Sequence, residues 1–302
     1  MYYVQKLIKK DIATSEQSNG CKIIELLRVR QWIKNIFVLA GVLTSLTSFN
    51  TSLMLKSISA FFLFCGISST VYIVNDIIDI EKDKLHPVKK FRALSSGAIK
   101  VQHAILITSV LGSCVLAASF ILNVFFGIIV LAYLLINLAY SLKLKEYVII
   151  DLIIITTGFV LRTLSGMIIT RGQISYLFLL TIVFLMLFLG FNKRKKEIIL
   201  LNDTSKSHRK SLGEYSLNFI NEANPMLAAC AVISHSFYVI YELHSGFMVI
   251  TIPIVLYGVL RYQYILNEKS FGENPEQALL KDKPMGIAAL AWGISYIIFY
   301  LI

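Results

Sequence analysis

Asn75, Asp76, Asp79 and Asp83 close a long apolar run that begins near Leu53. On a helix turning 100° per residue, the three aspartates project within roughly 60° of one another and climb about 10 Å of axis. Carboxylates crowded on one face at a membrane boundary repel one another unless a cation sits among them. Their hard oxygens suit Mg²⁺, which takes one or two carboxylates and fills its shell with substrate phosphates. The expected metal set is therefore Asn75, Asp76, Asp79 and Asp83, with the three aspartates as candidate catalytic residues. His86, Lys89, Lys90 and Arg92 follow at once and are read as a clamp on the same anion, Arg92 holding phosphate oxygens bidentately.

Four further groups carry chemistry. Tyr140, Lys143 and Lys145 lie in YSLKLKEY (140–147), where a belt tyrosine and a snorkelling lysine explain them as well as substrate contact does. Asp151 and Arg162 are eleven residues apart on one apolar run, so they point within about 20° of each other at about 16 Å separation. Arg162, deep in that run, must meet an acidic group, a carbonyl or a phosphate. Lys193, Arg194 and Glu197 belong to the basic block NKRKKE (192–197), which would present an anion to the aspartates. Lys34 stands in RVRQWIKN (28–35), a basic, Trp-bearing entry into the apolar part of the chain. No P-loop, dinucleotide fingerprint, HExxH or nucleophile elbow occurs.

The elements that position these residues are set by composition. Of 302 residues, 56% are hydrophobic and 16% charged, with mean hydropathy +0.70. Soluble domains carry about 25% charged residues, and the apolar residues here run continuously rather than in stripes, which is the pattern of a multi-pass membrane protein. The formal net charge of +11 then reflects cytoplasmic loops beside anionic lipid, and nucleic acid is not an expected partner. The cysteines lack CxxC spacing and read as packing residues.

Nine helical spans are predicted, near 33–47, 53–80, 104–122, 124–142, 147–169, 174–192, 226–243, 247–265 and 285–302. Pro253 should kink the eighth, whereas Pro225 falls in a connection. All Lys and Arg except Lys56, Arg162 and Arg171 fall in the N-terminal segment, at helix ends or in the connections 81–103, 143–146, 193–225 and 266–284. The positive-inside bias predicts a cytoplasmic N-terminus and a C-terminus across the inner membrane. Residues 1–25 are expected to be a polar cytoplasmic segment without a signal peptide, and 26–302 a single catalytic domain. A homo-oligomer is compatible with the sequence, which does not specify one.

These features resemble the UbiA-type superfamily of intramembrane prenyltransferases. Its members are all-α nine-helix bundles with an N-D-x-x-D-x-x-x-D motif after the second helix, matched by Asn75 to Asp83. Ordinary members carry a second Asp-rich motif after the sixth helix, where this chain has the basic 192–197 block. A narrower branch, the decaprenyl-phosphate phosphoribosyltransferases, is similar there too. The shared runs are RxRQWIKN (28–35), NDxxDxExD with HPxKxFR (75–92), YSxxLK (140–145), GFxLR (158–162), KRxxE (193–197), EYS (214–216) and PEQALLKDKP (275–284). Ala93 stands where that branch usually has proline.

The resemblance implies a central cavity open to the cytoplasm. It also implies transfer of phosphoribosyl from phosphoribosyl diphosphate to a polyprenyl phosphate in the bilayer, releasing diphosphate for a cell-envelope glycan precursor. Asp76, Asp79 and Asp83 with Asn75 would hold Mg²⁺ on the diphosphate. Lys193, Arg194, Lys34 and Arg162 would orient the lipid phosphate, and Lys89, Lys90, Arg92, Tyr140 and Lys145 would contact the donor's phosphates. Two other readings stand beside it. One is a prenyltransferase that moves an isoprenoid from its diphosphate to an aromatic or other acceptor. The other is a transporter or lipid carrier, whose ion site would be expected near the bilayer midplane.

Overall fold

In hydrocarbon every backbone N–H and C=O needs an internal partner, so each apolar run of this chain becomes a helix. The computed structural model describes residues 19–44, 51–85, 89–170, 173–201, 210–268 and 275–301, and all regular elements among them are helical. Helix α1 (Asn19–Leu26) leads through a 3₁₀ turn (Val29–Asn35) into α2 (Ile36–Thr44). Then come α3 (Thr51–Ile78), α4 (Ile80–Leu85), α5 (Val101–Leu122), α6 (Val124–Leu142), α7 (Ile150–Thr170) and α8 (Tyr176–Leu201). Short α9 (Lys210–Glu214) precedes α10 (Leu217–Phe237), α11 (Thr251–Glu268), α12 (Pro275–Lys281) and α13 (Lys283–Leu301). Seven helices among the described residues are long and apolar enough to cross a membrane, and Lys283–Phe299 is a shorter apolar helix. The molecule is an all-α polytopic membrane bundle.

Three expectations change in detail. The run read as the first span is helical over only nine described residues, Ile36–Thr44, about 14 Å of axis. The sixth span does not stop at 192 but continues to Leu201, so the basic block is helical rather than loop; Asn192 donates to the Phe188 carbonyl and Arg194 pairs with Glu197 on the same helix. The seventh span starts at Leu217, nine residues before the predicted start, which puts Pro225 inside a helix. Pro253 falls in the first turn of α11, just after the 3₁₀ stretch Phe247–Ile250. A proline there gives up an N–H that has no helical acceptor, so no mid-span kink follows.

Helix α7 touches all three main cores. Its Ile169 joins Phe64, Phe126 and Tyr133 on one side, Leu152 joins Phe188, Ile220 and Tyr262 on another, and Met167 joins Phe178, Tyr238 and Tyr296 on the third. Outward-facing side chains such as Ile121, Phe125 and Leu290 are exposed hydrophobics, as lipid contact requires. Backbone-to-backbone contact fixes α2 on α7. A Cβ at Gly41 would strike the Thr163 carbonyl, and one at Gly166 would strike the Val38 carbonyl and the Val42 amide. Small residues at such crossings are how membrane helices approach without a hydrophobic driving force between them.

That contact generates a stability prediction. Gly166→Leu forces α2 away from α7 and costs about 3 kcal/mol or more, seen as a lowered thermal midpoint of the detergent-solubilised protein. Gly258→Ala, where a Cβ meets nothing within 4 Å, leaves the midpoint unchanged.

Candidate functional site

The acidic residues sit where α3 hands over to α4. Asp79 lies between the two helices, yet its N–H still donates to the Asn75 carbonyl (3.0 Å) and Asp83 N–H to the Asp79 carbonyl (2.8 Å). The helical hydrogen bonding therefore runs on through the motif. Asp76 and Asp83 are only 5% and 3% exposed, and a buried carboxylate must be paired. Arg92 Nη1 donates to both, at 3.1 Å to Asp76 and 2.5 Å to Asp83. Arg28 holds Asp76 from the other side through Nη2 and through Nε at 3.2 Å. Lys145 Nζ grips both oxygens of Asp79 at 2.8 Å. Asn75 is half-buried on the same helix.

Arg28 is brought in from 48 residues away. Its backbone takes the left-handed conformation, φ 50°, which ends α1 and turns the chain into the 3₁₀ segment, and its guanidinium lies 5.2 Å from the Tyr72 ring centre. Two bonds pin this entry to α3: Trp32 Nε1 donates to Ser69 Oγ (3.0 Å), and Ser69 Oγ donates to the Leu27 carbonyl (2.7 Å). Lys34 is on the same 3₁₀ turn. Arg92 follows a short 3₁₀ helix, Lys89–Phe91, whose two lysines are exposed. Ala93, in the place of the expected proline, is buried and its carbonyl accepts from Ile99 N–H to close the loop. His86 lies outside the described residues.

Lys145 sits on the turn between α6 and α7, and this turn is held by a second buried cluster. Ser211 Oγ donates to the Lys145 carbonyl (3.1 Å). Tyr215 OH accepts from Ile149 N–H (2.7 Å) and donates to Asp151 Oδ1 (2.8 Å). Burial, and next the bond to Asp151, push the Tyr215 phenol above its usual range, so it stays protonated as a donor. Fully buried Asp151 is also held by Arg194, through Nε at 3.1 Å and Nη2 at 2.9 Å. Arg194 Nη1 meets Glu197 at 2.5 Å, and Tyr140 is within its electrostatic reach. Ile149 has φ 68°; a β-branched residue held there costs about 1–3 kcal/mol.

Arg162 of α7, 3% exposed, reaches Ser68 of α3, about two helical turns before Asp76, and its partners are neutral. Nε donates to Asn35 Oδ1 (2.7 Å), Nη1 to the Gly158 carbonyl (2.8 Å) and Nη2 to Tyr133 OH (2.7 Å). Its guanidinium also lies 4.7 Å from the Tyr133 ring centre. Asn35 is tied in turn to Ser68 and Cys65 of α3. Although Asp151 and Arg162 share a helix face, they serve different neighbours because of their axial separation.

Of the residues expected from sequence, the structure joins Asp76 and Asp83 through Arg92 and pairs Asp79 with Lys145. It holds Arg194 in a neighbouring buried cluster with Tyr140 close by, leaves Lys193 half-buried on α8, and keeps Arg162 in the α2–α3–α6–α7 interior. Sequence reasoning missed Arg28 as a site residue, although it heads the RVRQWIKN run. It also missed Ser211 and Tyr215, of which only the EYS run gave a sign.

Comparison with known proteins shows the family. The model of the UbiA prenyltransferase family matches residues 35–280. The decaprenyl-phosphate phosphoribosyltransferase of Mycobacterium tuberculosis is 30% identical over 293 residues, covering 94% of this chain and 96% of the relative. The protein of that name from Corynebacterium glutamicum is 30% identical over 280 residues, covering 89% and 84%. Among solved structures, a UbiA homolog from Archaeoglobus fulgidus bound to GPP and Mg²⁺ superposes with TM-score 0.71 at 17% identity, covering 93% of this chain and all of that one. An acidic motif at the end of α3, a helical membrane bundle and a family match over most of the length lead to one assignment: the chain belongs to the UbiA prenyltransferase family.

Proposed function

We propose that this protein is a Mg²⁺-dependent phosphoribosyltransferase that moves 5-phosphoribosyl from phosphoribosyl diphosphate to a polyprenyl phosphate and releases diphosphate. The observation that carries the reading is the pairing of opposite charges at one end of the bundle. Asp76 and Asp83 share Arg92, Arg28 completes Asp76, and Lys145 completes Asp79. Enzymes of that name in the relatives above support the choice of substrates.

The donor set fits the metal. Two carboxylates, seven residues or about two helical turns apart, already converge on one cationic nitrogen, that of Arg92. Among the described residues no three acidic, His or Cys side chains are close enough to cage an ion. Mg²⁺ asks for no such cage, since one or two carboxylates plus substrate phosphates suffice. Asp76 and Asp83 would hold it, with Asp79 and Asn75 alongside. Bound there, the metal supplies charge neutralisation for the leaving diphosphate.

The chain's own residues do the rest. Arg28, Arg92 and Lys145 exchange their carboxylate partners for diphosphate oxygens, and Lys89 and Lys90 extend the cationic rim. In the transfer, a polyprenyl phosphate oxygen forms a bond to ribose C1 as the bond from C1 to the diphosphate oxygen breaks, and the diphosphate leaves with the electron pair. The attacking oxygen is already anionic, so no general base is needed, and positioning provides the rate enhancement. Lys193 and Lys34 would orient the lipid phosphate; Arg194 and Arg162 support the site from within. The bundle so read has nine spans, counting α2 and α13, and a cavity open to the cytoplasm. Its N-terminus is cytoplasmic, its C-terminus lies across the inner membrane, and residues 26–302 are one catalytic domain behind the 1–25 segment.

Membranes containing the protein should transfer label from phosphoribosyl diphosphate to decaprenyl phosphate only when Mg²⁺ is present. Asp76→Ala should lower that transfer at least about 100-fold. Label reaching lipid equally well in the variant removes the metal assignment, and turnover of a prenyl diphosphate without phosphoribosyl transfer establishes the prenyltransferase reading instead. Arg92→Lys, which keeps the charge but replaces the planar guanidinium with a point-charge ammonium, should raise KM for phosphoribosyl diphosphate about tenfold, measured by initial rates.

A further inference from the structure

The 211–215 segment is far from the aspartates in sequence, and nothing in the proposed reaction uses it. Yet it makes two bonds to the one turn that carries Lys145. Ser211 Oγ holds the carbonyl of Lys145 itself, and Tyr215 OH caps Ile149 N–H at the other end of the turn. Tyr215 is anchored in turn by Asp151, which is fixed by Arg194. Its ring is independently packed, edge-on to Phe191 with centroids 6.0 Å apart, so the hydroxyl is aimed rather than merely tethered. The turn needs such a hold, because Ile149 sits in the left-handed region that a β-branched side chain avoids.

We propose that Tyr215, together with Ser211, is a positioning residue that acts through Lys145. The clasp holds the 143–149 turn in its strained form, and that form delivers the Lys145 ammonium to Asp79 and to the donor diphosphate. The inference rests on the phosphoribosyltransferase reading of the same site for its kinetic consequence, though not for its structural one. A purely architectural role for Tyr215 would lower stability without selecting one substrate. A positioning role weakens the donor and spares the lipid acceptor.

The test compares Tyr215→Phe, Lys145→Met and the double variant in the purified full-length protein. Phe keeps the ring packing and deletes only the hydroxyl. KM for phosphoribosyl diphosphate should rise about tenfold in Tyr215→Phe, with KM for decaprenyl phosphate unchanged and the double variant no worse than Lys145→Met alone. A second measurement needs no turnover: acylation of Lys145 by an amine reagent, followed by mass spectrometry without metal or substrate, should be severalfold faster in Tyr215→Phe than in the wild type. Losses that multiply in the double variant, or an unchanged acylation rate, overturn the inference. If wild-type protein transfers no phosphoribosyl group, the proposed function fails, and the acylation comparison alone decides the clasp. Should Tyr215→Phe not fold to a monodisperse species, Ser211→Ala, which removes only the bond to the Lys145 carbonyl, carries both measurements with the same expected directions.

Discussion

Asp76 is a carboxylate buried at the end of a membrane helix, and the architecture around it answers the need to neutralise that charge. Removing a carboxylate from water costs several kcal/mol, recovered only with close cationic partners and good hydrogen-bond geometry. Asp76 has two such partners, Arg28 and Arg92, and Arg92 is shared with Asp83. With Lys145 on Asp79, three carboxylates face three cations. In the proposed reaction this pairing allows entry by exchange. The carboxylates would hold Mg²⁺ while the arginines and the lysine hold the diphosphate, so no buried charge would be left unpaired.

The three cations come from three different connections, and each connection is anchored on its own. Arg28 depends on the seating of the 27–35 entry on α3, through Trp32, Ser69 and Leu27. It depends also on Asn35, which joins that entry to Arg162 of α7 and Ser68 of α3. The close approach of α2 to α7 at Gly41 and Gly166 holds the same corner from below. Arg162 accordingly places a charge in the bundle interior with dipoles and aromatic faces as its company, an arrangement worth keeping only where it fixes geometry. Packing deep in the membrane thereby sets the position of a guanidinium at the mouth.

What the sequence made legible was what repeats locally. Long apolar runs gave most of the spans, and helical periodicity gave the approach of Asp76 and Asp83, because both depend on neighbours a few residues apart. Pairings between distant segments left no such trace. Arg28 is an ordinary membrane-entry arginine until the fold sets it 48 residues ahead on Asp76, and Tyr215 is an unremarked aromatic until it meets Ile149 and Asp151. Helix ends were misjudged where charge pairs extend the helix beyond the apolar run. Hydropathy stops at Asn192, but Arg194 neutralised by Glu197 and Asp151 lets α8 continue.

That last pairing also explains how a basic block can occupy the place where a second acidic motif stands in ordinary members of the superfamily. Two acidic motifs need metal between them to be stable side by side. Here Arg194, covalently part of α8, already supplies the positive charge, and Asp151 and Glu197 balance it. The cluster is complete without a second ion, and its guanidinium is spent on protein carboxylates. In the proposed reaction the lysines of the same block, among them half-buried Lys193, would meet the lipid phosphate. Lysine is a strongly hydrated point charge on a flexible stem, suited to a phosphate monoester that arrives from the bilayer in varied orientations. In the same proposal a metal-bound diphosphate, which has to be held rigidly while a bond to carbon breaks, would be better served by the planar arginines beside Asp76. The proposed division of labour then follows from the chemistry of the cations on each side.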